Sequence, residues 1–152
     1  QVVTGNYGME IEAKSINNAF GPKVSNITLT RAAGTVTEGG ASANEFDAIQ
    51  FKKEGNGEYT NVVISGYTTS NTTLTATAVR IQDKSTNDNQ VTGGKIKMLN
   101  VKINDGTSQF AGVGTTFTVA FPTGNYTTSS TATGATLTAG AWAIVDGVSL
   151  IK

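Results

Sequence analysis

What most restricts this chain is a short alternation of apolar and polar residues, repeated along its length and broken each time by glycine or asparagine. In the opening QVVTGNYGMEIEAK, Val3, Gly5, Tyr7, Met9, Ile11 and Ala13 fall on one side and Thr4, Asn6, Gly8, Glu10, Glu12 and Lys14 on the other. A period of two describes an extended segment with one buried face. Similar stretches follow at 24–31, 46–53, 58–65, 72–81, 95–103, 115–121, 133–138 and 141–151. Between them stand turn signals such as Gly39-Gly40, Gly55-Asn56-Gly57, Gly93-Gly94 and Gly124-Asn125.

Composition agrees with that reading. Thr, Ser, Asn and Gly supply 66 of the 152 residues and proline only 2, a balance that favours many strands and many turns. Val, Ile, Leu and Phe number 34, enough for the core of one domain. The expected fold is all-β: a single-domain antiparallel β-sandwich or jelly roll with an N-terminal extended strand (1–14) and a body at 15–152.

Several segments carry finer expectations. Phe117, Val119 and Phe121 share a face and should be core, as should Trp142. In KIKMLNVKI, Leu99, Val101 and Ile103 lie on one side and Ile96 and Met98 on the other, which predicts a strand covered on both faces. The apolar phase shift between Ala78 and Val79 predicts a bulge or a strand crossing between sheets. In ASANEFDAIQ, Ser42 and Glu45 fit a capping box, yet the segment reads better as a turn and a strand. YTTSNTTLTA (67–76) resembles YTTSSTATGATLTA (126–139), which we read as threonine-rich low complexity.

The chemistry is limited by two absences. There is no histidine and no cysteine, so the usual general base, the commonest transition-metal ligand, thiolate nucleophiles and disulfides are all missing. The remaining carboxylates, Lys and Ser form no catalytic motif, and an enzyme is not expected. A net charge of zero offers no footprint for nucleic acid, and no apolar run is long enough for a membrane span. The start at Gln1 and the sequons at Asn26, Asn71 and Asn125 suggest a secreted, extracellular protein whose partners could include glycans.

Oxygen-rich loops could hold Ca2+. Asp83, Asn87, Asp88 and Asn89 lie in one loop, and Asn104 and Asp105 in another. Asp83, Asp88, Asn89 and Asp105 are the candidate ligands, since calcium takes six to eight oxygens. Glu45 with Asp47, and Glu10 with Glu12, are further carboxylate pairs. Ordinary turns and solubility explain these groups more simply.

The opening strand differs from the others in its length and terminal position. Gly5 and Gly8 interrupt it, and Asn17-Asn18-Ala19-Phe20-Gly21-Pro22 separates it from the body. A strand so placed could add to the sheet of another copy, with Val3, Gly5, Tyr7, Met9, Ile11 and Ala13 as the partner-binding face.

The Gln start, the alternating first strand, the Thr/Asn/Gly-rich β body and the lack of Cys and His together resemble self-assembling extracellular filament subunits of archaea, the cannula subunits most closely. That resemblance implies a homopolymer built by donor-strand complementation, with help from calcium. A carbohydrate-binding or adhesin module and a viral coat or surface-layer domain are the alternatives.

Overall fold

The computed structural model describes residues 8–31, 47–67, 77–104, 108–112, 117–136, 144–145 and 148–149. Its strands are β1 (Met9–Glu12), β2 (Lys23–Thr30), β3 (Ile49–Lys52), β4 (Gly57–Ser65), β5 (Thr77–Ile81), β6 (Ile96–Ile103), β7 (Ser108–Gly112) and β8 (Tyr126–Thr128), then β9 (Ile144–Val145) and β10 (Val148–Ser149). A helical turn, α1 (Lys84–Thr86), runs into a π-helical turn at Asn87–Val91 between β5 and β6.

From β1 to β8, successive strands do not pair with each other. The first sheet has the order β1-β3-β5-β7 and the second β2-β4-β6-β8, every pair parallel; β9 and β10 form a separate antiparallel pair. The chain therefore winds as a β-solenoid, crossing from one sheet to the other and returning one strand further along. Four coils result: β1 with β2, β3 with β4, β5 with β6, and β7 with β8.

In-register pairing stacks equivalent residues in columns. Met9, Ile49, Val79 and Phe110 form one, Ile11, Phe51 and Ile81 another, and Val24, Tyr59, Met98 and Tyr126 a third. Side chains from both sheets meet between them, as where Phe51 and Tyr59 pack edge to face at 5.5 Å. In the two inner coils Ile49, Phe51, Tyr59, Ile64, Val79, Ile81, Ile96 and Met98 are completely buried. At Gln50 and Arg80 the outer face of the first sheet is buried as well. Asp47 accepts from Arg80 Nε and Nη2 (both 2.9 Å) and from Thr77 N (2.7 Å) and Oγ1 (2.9 Å), all three residues being buried.

One column is polar. Asn26, Asn61 and Asn100 occupy the same position of β2, β4 and β6, with φ of 59°, 57° and 54°. Asparagine is among the few residues that tolerate this left-handed conformation. Each one bends its strand and resets the alternation: Tyr59 points inward before Asn61, and Val62 and Ile64 point inward after it. Asn61 Nδ2 donates to Asn26 Oδ1 at 2.7 Å, joining two coils through their side chains.

The structure corrects the expected fold. An antiparallel β-sandwich or jelly roll requires neighbouring strands to run in opposite directions, and in the two four-stranded sheets here they run parallel. The two-sided apolar pattern of 95–103 has a different origin: Ile96, Met98 and Val101 are all buried, because Asn100 switches the phase, and Leu99 faces outward instead of joining the core. No bulge interrupts β5 at Ala78 and Val79; the strand is buried on both faces in regular register.

The segment 117–122 is irregular, although Val119 is buried and Phe117 and Phe121 pack on the core. Residues 133–136 are also outside any strand, and β7, β8 and the helical turn were not anticipated. Tyr126 opens β8 whereas Tyr67 follows the end of β4, so the two similar segments begin at inequivalent places. Trp142 and Ser42–Glu45 lie outside the described residues.

Candidate functional site

Among the described strands the first coil stands at one end of the solenoid. Among the described strands, β1 and β2 have a neighbour on one side only, and both lie at the same end of the stack. Met9, Ile11, Val24 and Leu29 continue the core columns, yet they are only partly buried, while their counterparts Ile49, Phe51, Tyr59 and Ile64 are fully buried. Between β1 and β2, Ile16 and Phe20 are 80% and 87% exposed. Half-covered apolar columns beside unpaired strand edges and two protruding apolar side chains mark a surface suited to another β edge.

Charge frames this end. Glu10 and Glu12 lie on the outward face of β1 and pair with Lys52 of β3; Glu12 also accepts from Lys53 Nζ at 3.1 Å. The hydrogen bond and charge of Lys53, reinforced by Lys52, hold the Glu12 carboxyl below its usual range, and the bond that Lys52 donates to Glu10 raises Lys52. On the other sheet Lys23, Glu58 and Lys97 form a column of alternating sign, with 3.6 Å between Lys97 and Glu58.

Beside this end is a cleft of about 580 Å³ lined by Glu12, Ala13, Lys14, Ser15, Ile16, Lys53, Glu54 and Ser85. It sits over the turns that join the sheets. Lys53 and Glu54 both adopt positive φ, 48° and 66°, to turn the chain from β3 into β4. Glu54 is buried and accepts from Asn89 Nδ2 (2.9 Å), Gln90 Nε2 (2.6 Å) and Asn17 N (3.3 Å). Burial pushes its carboxyl up, but Gln90, Asn89, Ser85 and Asn17 more than offset this and leave it lowered. Gln90 Oε1 in turn accepts from Asn56 Nδ2 at 2.8 Å, and the same amide reaches Asn18 O at 2.9 Å. The network ties the corners of three coils. With its oxygens supplied by amides, Glu54 is a stable anion and a poor general acid or base.

Among the described residues, each expected calcium ligand has another partner. Asp83 caps α1: it accepts from Thr86 N (2.8 Å), Lys53 N (2.9 Å), Ser85 Oγ (2.8 Å) and Thr86 Oγ1 (3.0 Å). Burial alone would raise its carboxyl; these bonds lower it. Asp88 pairs with Lys84, Asn89 serves Glu54, and Asp105 lies outside the described residues. Asp47 is taken by Arg80 and Thr77, while Glu45 lies outside the described residues. Among the described residues no group of three or more acidic side chains is placed to hold a metal ion.

The described part of the opening strand lies in the first sheet of its own chain. Met9–Glu12 pair with Ile49–Lys52 of the same chain, and Ala13 N donates to Lys53 O at 3.2 Å. Met9, Ile11 and Ala13 thus lie along the edge of the first sheet, next to β3 of their own chain. Val3, Gly5 and Tyr7 lie outside the described residues. Asn26 sits in the asparagine column, Asn125 turns the chain into β8 through its N–H to Pro122 O (2.9 Å), and Asn71 is outside the described residues.

Sequence reading missed the asparagine column, though a signal was present. Ser25-Asn26-Ile27, Thr60-Asn61-Val62 and Leu99-Asn100-Val101 repeat a polar-or-large residue, asparagine and a β-branched residue inside strand patterns. No helix among the described residues is long and apolar enough to cross a membrane. Compared with protein-family models, curated proteins and solved structures, the chain matches none.

Proposed function

We propose that this protein is a structural, self-associating β-solenoid subunit whose copies add end-on through the first coil. The observation that carries the reading is the half-covered core of that coil, with Met9, Ile11, Val24 and Leu29 partly exposed beside the edges of β1 and β2. Strand addition at such an edge supplies main-chain hydrogen bonds and completes the burial of the columns.

The last coil of a second copy is the partner that best fits. Its β7 and β8 would lie parallel to β1 and β2, repeating between copies the relation that already exists between coils. Such a contact is head-to-tail and does not close, so it extends into a filament. Charge favours this polarity. Stacking first coil on first coil, with β1 against its own copy, would set Glu10 and Glu12 against their like. At the last coil the position that continues the Glu10 column is Ala111, which is uncharged. The strand contributed is thus the edge of a folded coil, in place of a detached N-terminal donor.

Sedimentation velocity over a concentration series, with electron microscopy of the same samples, tests the proposal. We expect species that grow with concentration, and a shift to monomer in the double variant Ile16→Ser/Phe20→Ser with its circular dichroism unchanged. A wild-type chain that stays monomeric at the highest soluble concentration would overturn the reading.

A further inference from the structure

The last coil sends a strap back across the first two. After β8 the chain turns through Ser129–Ala132, and residues 132–136 then run over the outward face of the second sheet. The strap meets β4 first. Asn61 Oδ1 accepts from the N–H groups of Thr133 (2.8 Å) and Gly134 (3.2 Å). Asn61 Nδ2 lies within bonding distance of Thr133 Oγ1 (3.1 Å) and Gly134 O (3.3 Å) while also donating to Asn26 Oδ1 (2.7 Å). One residue further on, at β2, Ala135 N donates to Thr28 Oγ1 at 2.9 Å.

The fit is selective as well as polar. Gly134 is buried with φ of 66°, and a Cβ built on it would fall on Thr28 Oγ1 and crowd Ile27 O and Val63 Cγ2 at 3.0 Å each. A side-chain amide that meets both the N–H and the C=O of a passing chain does the work of a neighbouring strand. The hydroxyl of Thr28 takes the next N–H, and the gap between admits glycine alone.

We propose that the outward face of β2 and β4 is a peptide-docking site, built from Asn61 and Thr28, whose occupant is this chain's own Thr133–Ala135. Docking latches the edge coil: β2 is held to β4 by its ladder on the inside and by the strap on the outside. The consequence for assembly rests on the end-on reading, since β2 is one of the two strands that would receive the next copy. The docking itself does not depend on that reading.

The test uses the full-length chain carrying Gly134→Val, followed by amide hydrogen exchange. Releasing the strap should speed exchange of the β2 amides that bond to β4 by on the order of tenfold or more, while β6 keeps its protection. A synthetic peptide of residues 129–137 should then bind the variant, restore protection to β2, and fail to bind the wild type, whose site is filled. The same peptide with valine at the glycine position should not bind.

Unchanged exchange in β2, or no peptide binding once β2 has opened, overturns the proposal. If Gly134→Val does not fold, Ala135→Pro removes the donor to Thr28 and restrains the backbone at Gly134, and the same two readings apply. Association separates the two ideas. A latch confirmed by exchange in a strictly monomeric wild-type chain would sink the end-on function and leave the docking site standing.

Discussion

Asn26, Asn61 and Asn100 hold the same left-handed φ in three successive coils, and each keeps a strand's apolar side chains turned toward the core after a bend. Replacing Asn100 by alanine should therefore cost about 1–2 kcal/mol, since a Cβ-bearing residue without a local polar partner resists this conformation. Asn100→Gly should recover most of that loss, because glycine carries no such penalty. Urea denaturation of the two variants checks the order, and equal midpoints would contradict it. The Asp47–Arg80 pair makes a harsher test at the same scale. Arg80→Met leaves a buried carboxylate short of its main partner, and the expected loss is about 3–5 kcal/mol. Sequence reading found neither feature, and for the asparagines it passed over a repeated local pattern. Alternation shows which face a residue takes only while the backbone stays extended, and a single left-handed residue reverses the count.

At the scale of elements, alternation located β2, β3, β4 and β6 to within a few residues, because their side chains divide cleanly between core and surface. It overcalled 115–121, where Val119 and the flanking phenylalanines bury themselves from an irregular backbone. It missed β7 and β8, short strands whose partners and not their own residues keep them extended. The coils should differ in the cost of losing a core side chain. Phe51→Ala, in the second coil, should cost about 3–5 kcal/mol. Met9→Ala, in the partly exposed first coil, should cost well under half of that at concentrations where the protein is monomeric, because less of its surface leaves water on folding. Comparable losses at the two positions would mean that the first coil is not an open end. The candidate site was legible in part: the opening strand stood out, but its partner did not.

For the whole molecule, the absence of histidine and cysteine predicts a flat stability plateau from about pH 5 to 9, since no such side chain titrates there. The lowered carboxyls of Glu54 and Asp83 contribute fully above their unfolded values near pH 4. That contribution is lost as pH falls through their lower folded values. Tyr59 and Tyr126 shift the other way, their hydroxyls pushed by burial from 10.0 to about 12, so stability is complete below pH 10 and falls as pH rises toward 12. Thermal melts across this range should show two shoulders and no step near neutrality.

The residues alone determined that the chain is β-rich, turn-punctuated and without thiol or imidazole chemistry, because alternation and composition are local properties. Which strands pair, and in which direction, was decided by tertiary structure. A period of two names the buried face of a strand but not its neighbour. The equivalent residues Met9, Ile49, Val79 and Phe110 fall at unequal intervals, so no fixed repeat announced the coils. Parallel pairing arises only when the chain has crossed to the opposite sheet and come back, and the hydrogen bonds made on that return are what choose the fold.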